Sequence, residues 1–344
     1  MKKRQTQARV PRCKKCGAPA VIYMRQHRLA LCETHFQEWF VNYTQRTIEK
    51  YHMFGPEDRV LVAVSGGKDS LALWDVLTQL GYRADGLYIG LGIDEGTQYS
   101  QRSLEAVRGF MAERPGLRLY VVDMKEAYGE TIPELARRVR RGRGKPCSVC
   151  GLSKRHIMNE LALREGFDVL VTGHNLDDEA AVLFQNTLRW QTGYLARQSP
   201  VLEATHPGLV RKAKPFCRFY EREVAAYAIV RGIEYQYDEC PFSVGATTIY
   251  YKELLNQLER HSPGSKFQFY TQFLKAKKKG LITFHEPEGE VVLRPCRICG
   301  QPTTAGEICA FCRMWVRPDM DLEEAKRSVP SLTFRVETSE SEEG

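Results

Sequence analysis

Eleven cysteines carry most of the chemistry in this 344-residue chain. Four soft ligands stand near the start, Cys13-x2-Cys16 and Cys32-x2-His35, and four near the end, Cys296-x2-Cys299 and Cys309-x2-Cys312. Two close pairs of this kind are what a tetrahedral zinc ion takes from two knuckles, and four protein ligands leave no position open to substrate. Both sets are expected to be structural zinc sites. Cys147, Cys150, Cys217 and Cys240 remain. Pro146-Cys147-Ser148-Val149-Cys150 is a third CxxC, and Cys240-Pro241 lies far along the chain. A redox or persulfide-carrying pair, a third zinc using all four thiols, and an iron–sulfur cluster on Cys147, Cys150 and Cys240 with one iron lacking a protein ligand all fit. Spacing does not choose among them.

A second kind of chemistry is written at Ser65-Gly66-Gly67-Lys68-Asp69-Ser70. Two glycines let the backbone approach an anion without a Cβ in the way. The amides of a new helix and the Ser65 and Ser70 hydroxyls can then hold phosphate oxygens. The run is not a Walker A loop, which places four residues between its first Gly and the Gly-Lys pair. Asp69 beside phosphates is costly unless it meets Mg2+ or a proton. A further motif, Thr172-Gly173-His174-Asn175-Leu176-Asp177-Asp178-Glu179-Ala180, carries polar groups that belong at a strand's carboxyl end.

The elements that must position these groups alternate strand and helix. Val60–Val64 is predicted as a buried strand and Asp69–Leu80 as a helix with Leu73, Trp74, Leu77 and Leu80 on one face. Strand Ala84–Gly90, helix Gln101–Arg114, strand Leu117–Asp123, helix Leu152–Arg164, strand Phe167–Thr172 and helix Asp177–Leu188 continue the pattern. That alternation describes an α/β fold, a doubly wound parallel sheet with helices on both faces. In such a sheet ligands bind at the strands' carboxyl ends, so His174, Asn175, Asp177 and Asp178 are expected to face the crevice of the Gly66–Gly67 turn. The predicted divisions are an N-terminal zinc finger over 1–37, a connecting helix over 38–54, the nucleotide domain over 55–245, a helical extension over 246–290, a zinc ribbon over 291–318 and a tail over 319–344.

The six-residue phosphate loop resembles the SGGxDS loop of the PP-loop ATP pyrophosphatases. In combination with CSVCGLSKR, GHNLDDEA and Glu239-Cys240-Pro241, bracketed by two zinc modules, the chain resembles the TtuA/TtcA group of tRNA thiolases over residues 13 to about 315. The TtuA branch, which makes the 2-thio group of 5-methyl-2-thiouridine in the tRNA T-loop, is the nearest match. The resemblance implies adenylation of the uracil C2 oxygen by ATP with Mg2+, followed by sulfur transfer. It implies a [4Fe-4S] cluster on Cys147, Cys150 and Cys240, catalytic roles for Asp69 and Lys154, and an ATP site of Ala63, Ser65, Gly66, Gly67, Asp69, Ser70, Ile89, Lys154, Thr172, Gly173, His174 and Asp177. It further implies a ubiquitin-like sulfur carrier of the TtuB type, ending in a thiocarboxylate, and a homodimer. Cys217 has no counterpart in the motif and is expected to be a buried spare thiol. The alternatives are a thiolase of the anticodon loop, acting on cytidine or the wobble uridine, and a zinc-ribbon nucleic-acid binder without catalysis.

Composition agrees with a polyanionic partner. Net charge is +8, and the last eight residues hold four Glu and no base, so the rest of the chain is more basic still. Arg137, Arg138, Arg140, Arg141, Arg143 and Lys145 put six positive charges within nine residues directly before Cys147, and they are the expected tRNA contacts. With 43% hydrophobic residues wholesale disorder is excluded. The longest uncharged stretch, residues 240–251, is far short of the ~20 apolar residues of a membrane span. The Met1-Lys2-Lys3-Arg4 opening is followed by polar residues, so a cytoplasmic location is expected.

Overall fold

The computed structural model describes residues 11–94, 96–142, 146–284, 292–317 and 319–339. Its centre is a seven-stranded sheet built from β3 (Arg59–Ala63), β4 (Arg83–Gly90), β5 (Arg118–Asp123), β6 (Val169–Thr172), β7 (Val201–Leu202), β8 (Arg211–Ala213) and β11 (Arg335–Thr338). Two small hairpins, β1 (Ile22–Met24) with β2 (Leu29–Leu31) and β9 (Arg294–Pro295) with β10 (Pro302–Thr303), lie outside it. The order is β11-β5-β4-β3-β6-β8-β7, parallel from β5 to β8 and antiparallel at both edges.

Alternation along each strand sorts side chains onto two cores. Val60 and Val62 of β3, Leu119 and Val121 of β5, and Val169 and Val171 of β6 enter one. Leu61, Leu87, Tyr120, Val122 and Leu170 enter the other. The first core is covered by α1 (Glu33–Lys50), α2 (Lys68–Gln79), α3 (Tyr99–Ala112) and α9 (Glu221–Val230), together with the first cysteine module. The second is covered by α4 (Met124–Tyr128), α5 (Ile132–Arg138), α6 (Pro146–Arg164) and the second cysteine module. The two modules therefore clamp opposite faces of one sheet. On the first face Asp75 of α2 is buried. It accepts from Tyr227 Oη of α9, from Arg231 Nε just after that helix and from Arg114 Nε following α3, at 2.7, 3.0 and 3.0 Å. Helices α7 (Leu176–Leu188), α8 (Thr192–Arg197), α10 (Thr247–His261), α11 (Ser265–Lys278) and α12 (Leu322–Ser328) complete the chain. Among the described residues no helix is long and apolar enough to cross a membrane.

Three departures from the predicted elements matter. Helix α1 begins at Glu33 rather than at residue 38, and α6 at Pro146 rather than at residue 152, so Cys32-x2-His35 and Cys147-x2-Cys150 both ride on first turns. Residues i and i+3 share a helix face, which is how each pair converges. The expected tail over 319–344 needs correction in its described part. Asp321 caps α12, and β11 pairs with β5. Leu332 is buried, and Arg108 holds Glu337 through two hydrogen bonds of 2.9 and 2.6 Å. Residues 340–344 lie outside the described residues.

Candidate functional site

The phosphate loop turns from β3 into α2 as the sequence predicts. Ser65 N donates to Ser70 Oγ at 3.0 Å, and Ser70 Oγ donates to the Gly67 carbonyl at 2.9 Å. Gly66 has φ +78°, and a Cβ there would stand 2.4 Å from the Ser103 carbonyl of α3, so only glycine fits. Gly173 is the second forced glycine, because its Cβ would lie 2.7 Å from the Asp69 carbonyl oxygen. At that contact the two motifs meet. Asn175 accepts from the amides of Asp177 and Asp178 to cap α7, while its Nδ2 donates to Asp69 Oδ1 at 3.0 Å. Lys68 Nζ bridges Asp69 and Glu221, each at 2.9 Å. Burial of Asp69 outweighs Lys68 and Asn175 and holds its carboxyl above the usual range.

Ala63, Ser65, Ile89 and Lys154 line one cleft of about 120 Å3, with Tyr99, Ser103 and Met158. Thr172 and His174 stand at the carboxyl end of β6, the strand beside β3, and are joined at 2.7 Å through Thr172 Oγ1 and His174 Nδ1. The His174 ring is reached by solvent yet crowded on most sides. Crowding holds it below its ordinary pKa; Lys214 and Lys154 add to the effect, against Asp178 and Glu179. Asp177 departs from the expectation. It is buried, pairs with Lys266 of α11 and accepts from the Glu221 amide at 3.0 Å. It borders a separate cavity of about 410 Å3 lined by Lys68, Tyr220, Glu221, Asn256 and Lys266. A buried carboxylate is held by the nearest cation, and here that cation comes from a distant helix.

The central thiols converge at the same edge. Cys147, Cys150 and Lys154 run along one face of α6. After α9 the chain turns back over the phosphate loop, with Gln236 N on the Gly66 carbonyl at 2.8 Å and Asp238 on Arg102 at 3.1 Å. Cys240 then opens the turn Pro241–Ser243, and the Cys147 thiol donates to the Phe242 carbonyl at 3.2 Å. Burial raises the Cys150 thiol; neighbouring Cys240 and Cys147 raise it further, and Lys154 opposes them. Tyr99, also raised by burial, feels Cys240 and Cys150 as well. Lys154 and Tyr99 thus form the wall between cleft and thiols. No motif marks Tyr99; it is found only by folding the chain. Cys217 is fully buried among Phe216 and Phe219 in the opposite core, away from this group.

The outer sets differ. In each, all four ligand atoms lie within 4.8 Å of one another. Cys16 and Cys32 sulfurs are 3.6 Å apart, and those of Cys299 and Cys309 3.8 Å. Zinc–sulfur bonds of about 2.3 Å give a tetrahedral edge of about 3.8 Å, so the residues fit that ion. His35 presents Nδ1 to Cys32 at 3.2 Å and to Cys13 at 3.5 Å. Burial would raise Cys13, but amide donors from Cys32, Cys16 and Lys15 bring it down to about 6. Among the described residues Cys147, Cys150 and Cys240 do not form such a tight group.

Of the basic run, Arg138 is committed elsewhere. Its Nε and Nη2 hold Glu130, and its Nη1 holds the Met314 carbonyl at 2.9 Å, tying α5 to the second cysteine module. Arg137 lies on α5, and Arg140 and Arg141 on the following turn, with Arg141 Nε on Ser148 Oγ at 3.0 Å. Arg143 and Lys145 lie outside the described residues.

Residues 12–37 match the family described as the N-terminal LIM domain of the 2-thiouridine synthetase TtuA, and residues 34–243 match the PP-loop domain. The chain is similar to the tRNA-5-methyluridine(54) 2-sulfurtransferase of Thermus thermophilus, 55% identical over 88% of this chain and 90% of that protein. The Thermotoga maritima protein of the same name is 44% identical over 88% and 95%. Among solved structures, the U34-tRNA thiolase NcsA from Methanococcus maripaludis with its [4Fe-4S] cluster superposes with a TM-score of 0.69 at 25% identity, covering 88% of this chain and 95% of that one. With its phosphate loop, its paired outer modules and these relatives, the chain belongs to the TtuA family of PP-loop tRNA thiolases.

Proposed function

We propose that the protein performs ATP-dependent 2-thiolation of 5-methyluridine in the tRNA T-loop. ATP occupies the cleft of Ala63, Ser65, Ile89 and Lys154. Gly66, Gly67, Ser70 and the first amides of α2 take its phosphates, Asp69 its Mg2+, and Thr172, Gly173 and His174 close the β6 side. Cys147, Cys150 and Cys240 hold a [4Fe-4S] cluster, which supplies an iron with no protein ligand at which one sulfur can be held. The two outer sets hold zinc.

The base's O2 attacks the α-phosphorus of ATP and pyrophosphate leaves. Sulfur at the sulfide level then attacks C2, the C2–O2 bond breaks, and AMP departs with that oxygen. Without adenylation the carbonyl oxygen is too poor a leaving group. Lys154 brings its ammonium to the charge that develops on the phosphate. A base stacked in its loop does not expose C2, so the nucleotide must swing out. A thiocarboxylate-bearing ubiquitin-like carrier, a homodimer and a cytoplasmic location complete the reading and rest on the family resemblance.

The observation that carries it is Lys154, which borders the cleft and stands beside Cys150 on the same helix face. The test is mass spectrometry of tRNA fragments after incubation with ATP, Mg2+ and inorganic sulfide under anaerobic conditions. A 2-thio group in the T-loop is expected. Thiolation confined to the anticodon loop would reassign the substrate, and no ATP-dependent product would leave only a zinc-bearing nucleotide binder.

A further inference from the structure

After α7 and on α8 lies a surface to which none of the motifs points. Trp190 is 73% exposed and Tyr194 59%, uncommon for large aromatics on a folded face. Trp190 has φ +46°, a conformation bulky residues rarely adopt. Backbone bonds lock it there: Trp190 N to Thr187 O at 3.1 Å and Thr192 N to Trp190 O at 2.9 Å. The Arg197 guanidinium lies 5.4 Å over the Tyr194 ring.

Positive charge crowds the side facing α6. Arg155 folds its guanidinium back over Gly151, where a Cβ would stand 3.1 Å from Nη1, so it flanks Cys150. Arg141 and Tyr194 lie within electrostatic reach of Arg155. Lys212 of β8 lies on the same side of the sheet; burial and Arg155 hold it below its ordinary pKa. Among the described residues neither Arg155 nor Lys212 has a carboxylate partner. Like charges packed together without acids are unfavourable until an anion arrives, and aromatics interleaved with arginines suit unpaired bases along a phosphate backbone.

We infer that Trp190 and Tyr194, with Arg141, Arg155, Lys212 and Arg197, form a docking platform for single-stranded loop nucleotides of the substrate RNA, next to the thiols. The aromatics stack on bases and the cations hold phosphates. The inference rests on the proposed function for the identity of the RNA. It concerns binding alone, so it stands or falls separately from which base is thiolated.

The experiment measures tRNA affinity by fluorescence anisotropy over a range of salt, using full-length holoprotein and no ATP, with circular dichroism melts as the folding control. Trp190→Ala and Tyr194→Ala each weaken binding about 5- to 100-fold with the salt slope unchanged. Arg155→Gln with Lys212→Gln lowers the slope of log K against log salt by about 0.7–0.9 per residue. Quenching of Trp190 fluorescence by tRNA, absent in Trp190→Ala, reports stacking directly. Affinities and slopes within twofold of wild type in all variants overturn the platform. So does a shift in sedimentation on Trp190→Ala with tRNA affinity intact, which gives the face to a second copy of the chain. If instead the variants lose affinity while wild type thiolates a different loop, the platform holds and the T-loop assignment fails.

Discussion

The outer cysteine sets and the central thiols use the same residue type to opposite ends. In the outer sets four ligands are drawn to within zinc-bonding distance of one point, with backbone amides on their sulfurs, such as Cys309 N on Cys296 Sγ at 3.2 Å. Each set is the tip of a hydrophobic core: Cys13 packs with Met24, Leu31 and Phe36, and Cys296, Cys309 and Cys312 with Phe311 and Met314. Among the described residues the central thiols are not drawn together in that way, and they sit beside Lys154 and the cleft. A closed ligand shell contributes to folding, whereas an incomplete one keeps a position for chemistry.

The contrast can be broken first on the folding side. Cys312→Ala should halve the zinc content and unfold the second module, because structural zinc contributes about 10–16 kcal/mol in small modules. Its melting transition should collapse, and a variant with wild-type stability and two zinc ions would dissolve the contrast. Cys150→Ala should do the reverse. Thiolation falls to background and iron is lost, while zinc content and the melting temperature hold, as read by metal analysis and calorimetry. Lys154→Ala sharpens the contrast from within the site: about 10^2–10^3 lower single-turnover thiolation, comparable to removing one charge-stabilising donor, with iron, zinc and tRNA affinity retained.

The smallest effect concerns Glu223 of α9, fully buried, which accepts from the Tyr220 amide and from Gln26 of the first module. Burial, against those donors, raises its carboxyl to about 8. A carboxyl protonated in the folded state and ionised in the unfolded one lends stability that is full below the unfolded value and is lost as pH rises toward 8. Melting temperature should therefore fall between pH 5 and pH 8, and Glu223→Gln should flatten that fall. At roughly 2–4 °C per kcal/mol the fall is read directly in a melting scan. An unchanged slope in the variant would mean that Glu223 is ionised in the native protein.

The strand–loop–helix around Ser65 was legible because its period switches from two to 3.6 at a run of glycines, a local signal. The start of α6 was not. Cys147-Ser148-Val149-Cys150 has weak helix propensity and is held by packing of Val149 into the second core. Strand β11 was hidden because Arg335-Val336-Glu337-Thr338 reads as a solvated tail, and only Arg108 and the open edge of β5 turn it into a strand. Asp177 and Arg138 carry the charges a ligand site would want, yet each is held by a partner more than eighty residues away or by a module at the far end of the chain.

The sequence by itself determined which chemistries are present: four-ligand zinc knots, a phosphate loop, a third thiol pair and a basic approach to it. These are set by residue type at short spacing, where bond lengths and helix pitch leave little freedom. Only the tertiary structure decided which of them share a site. It brought Cys240 across the phosphate loop to Cys147, put Lys154 and Tyr99 between thiols and cleft, and sent Cys217 and Asp177 elsewhere. Long-range placement depends on which strand lies beside which and on which buried charge finds a partner, and no local window of sequence contains that information.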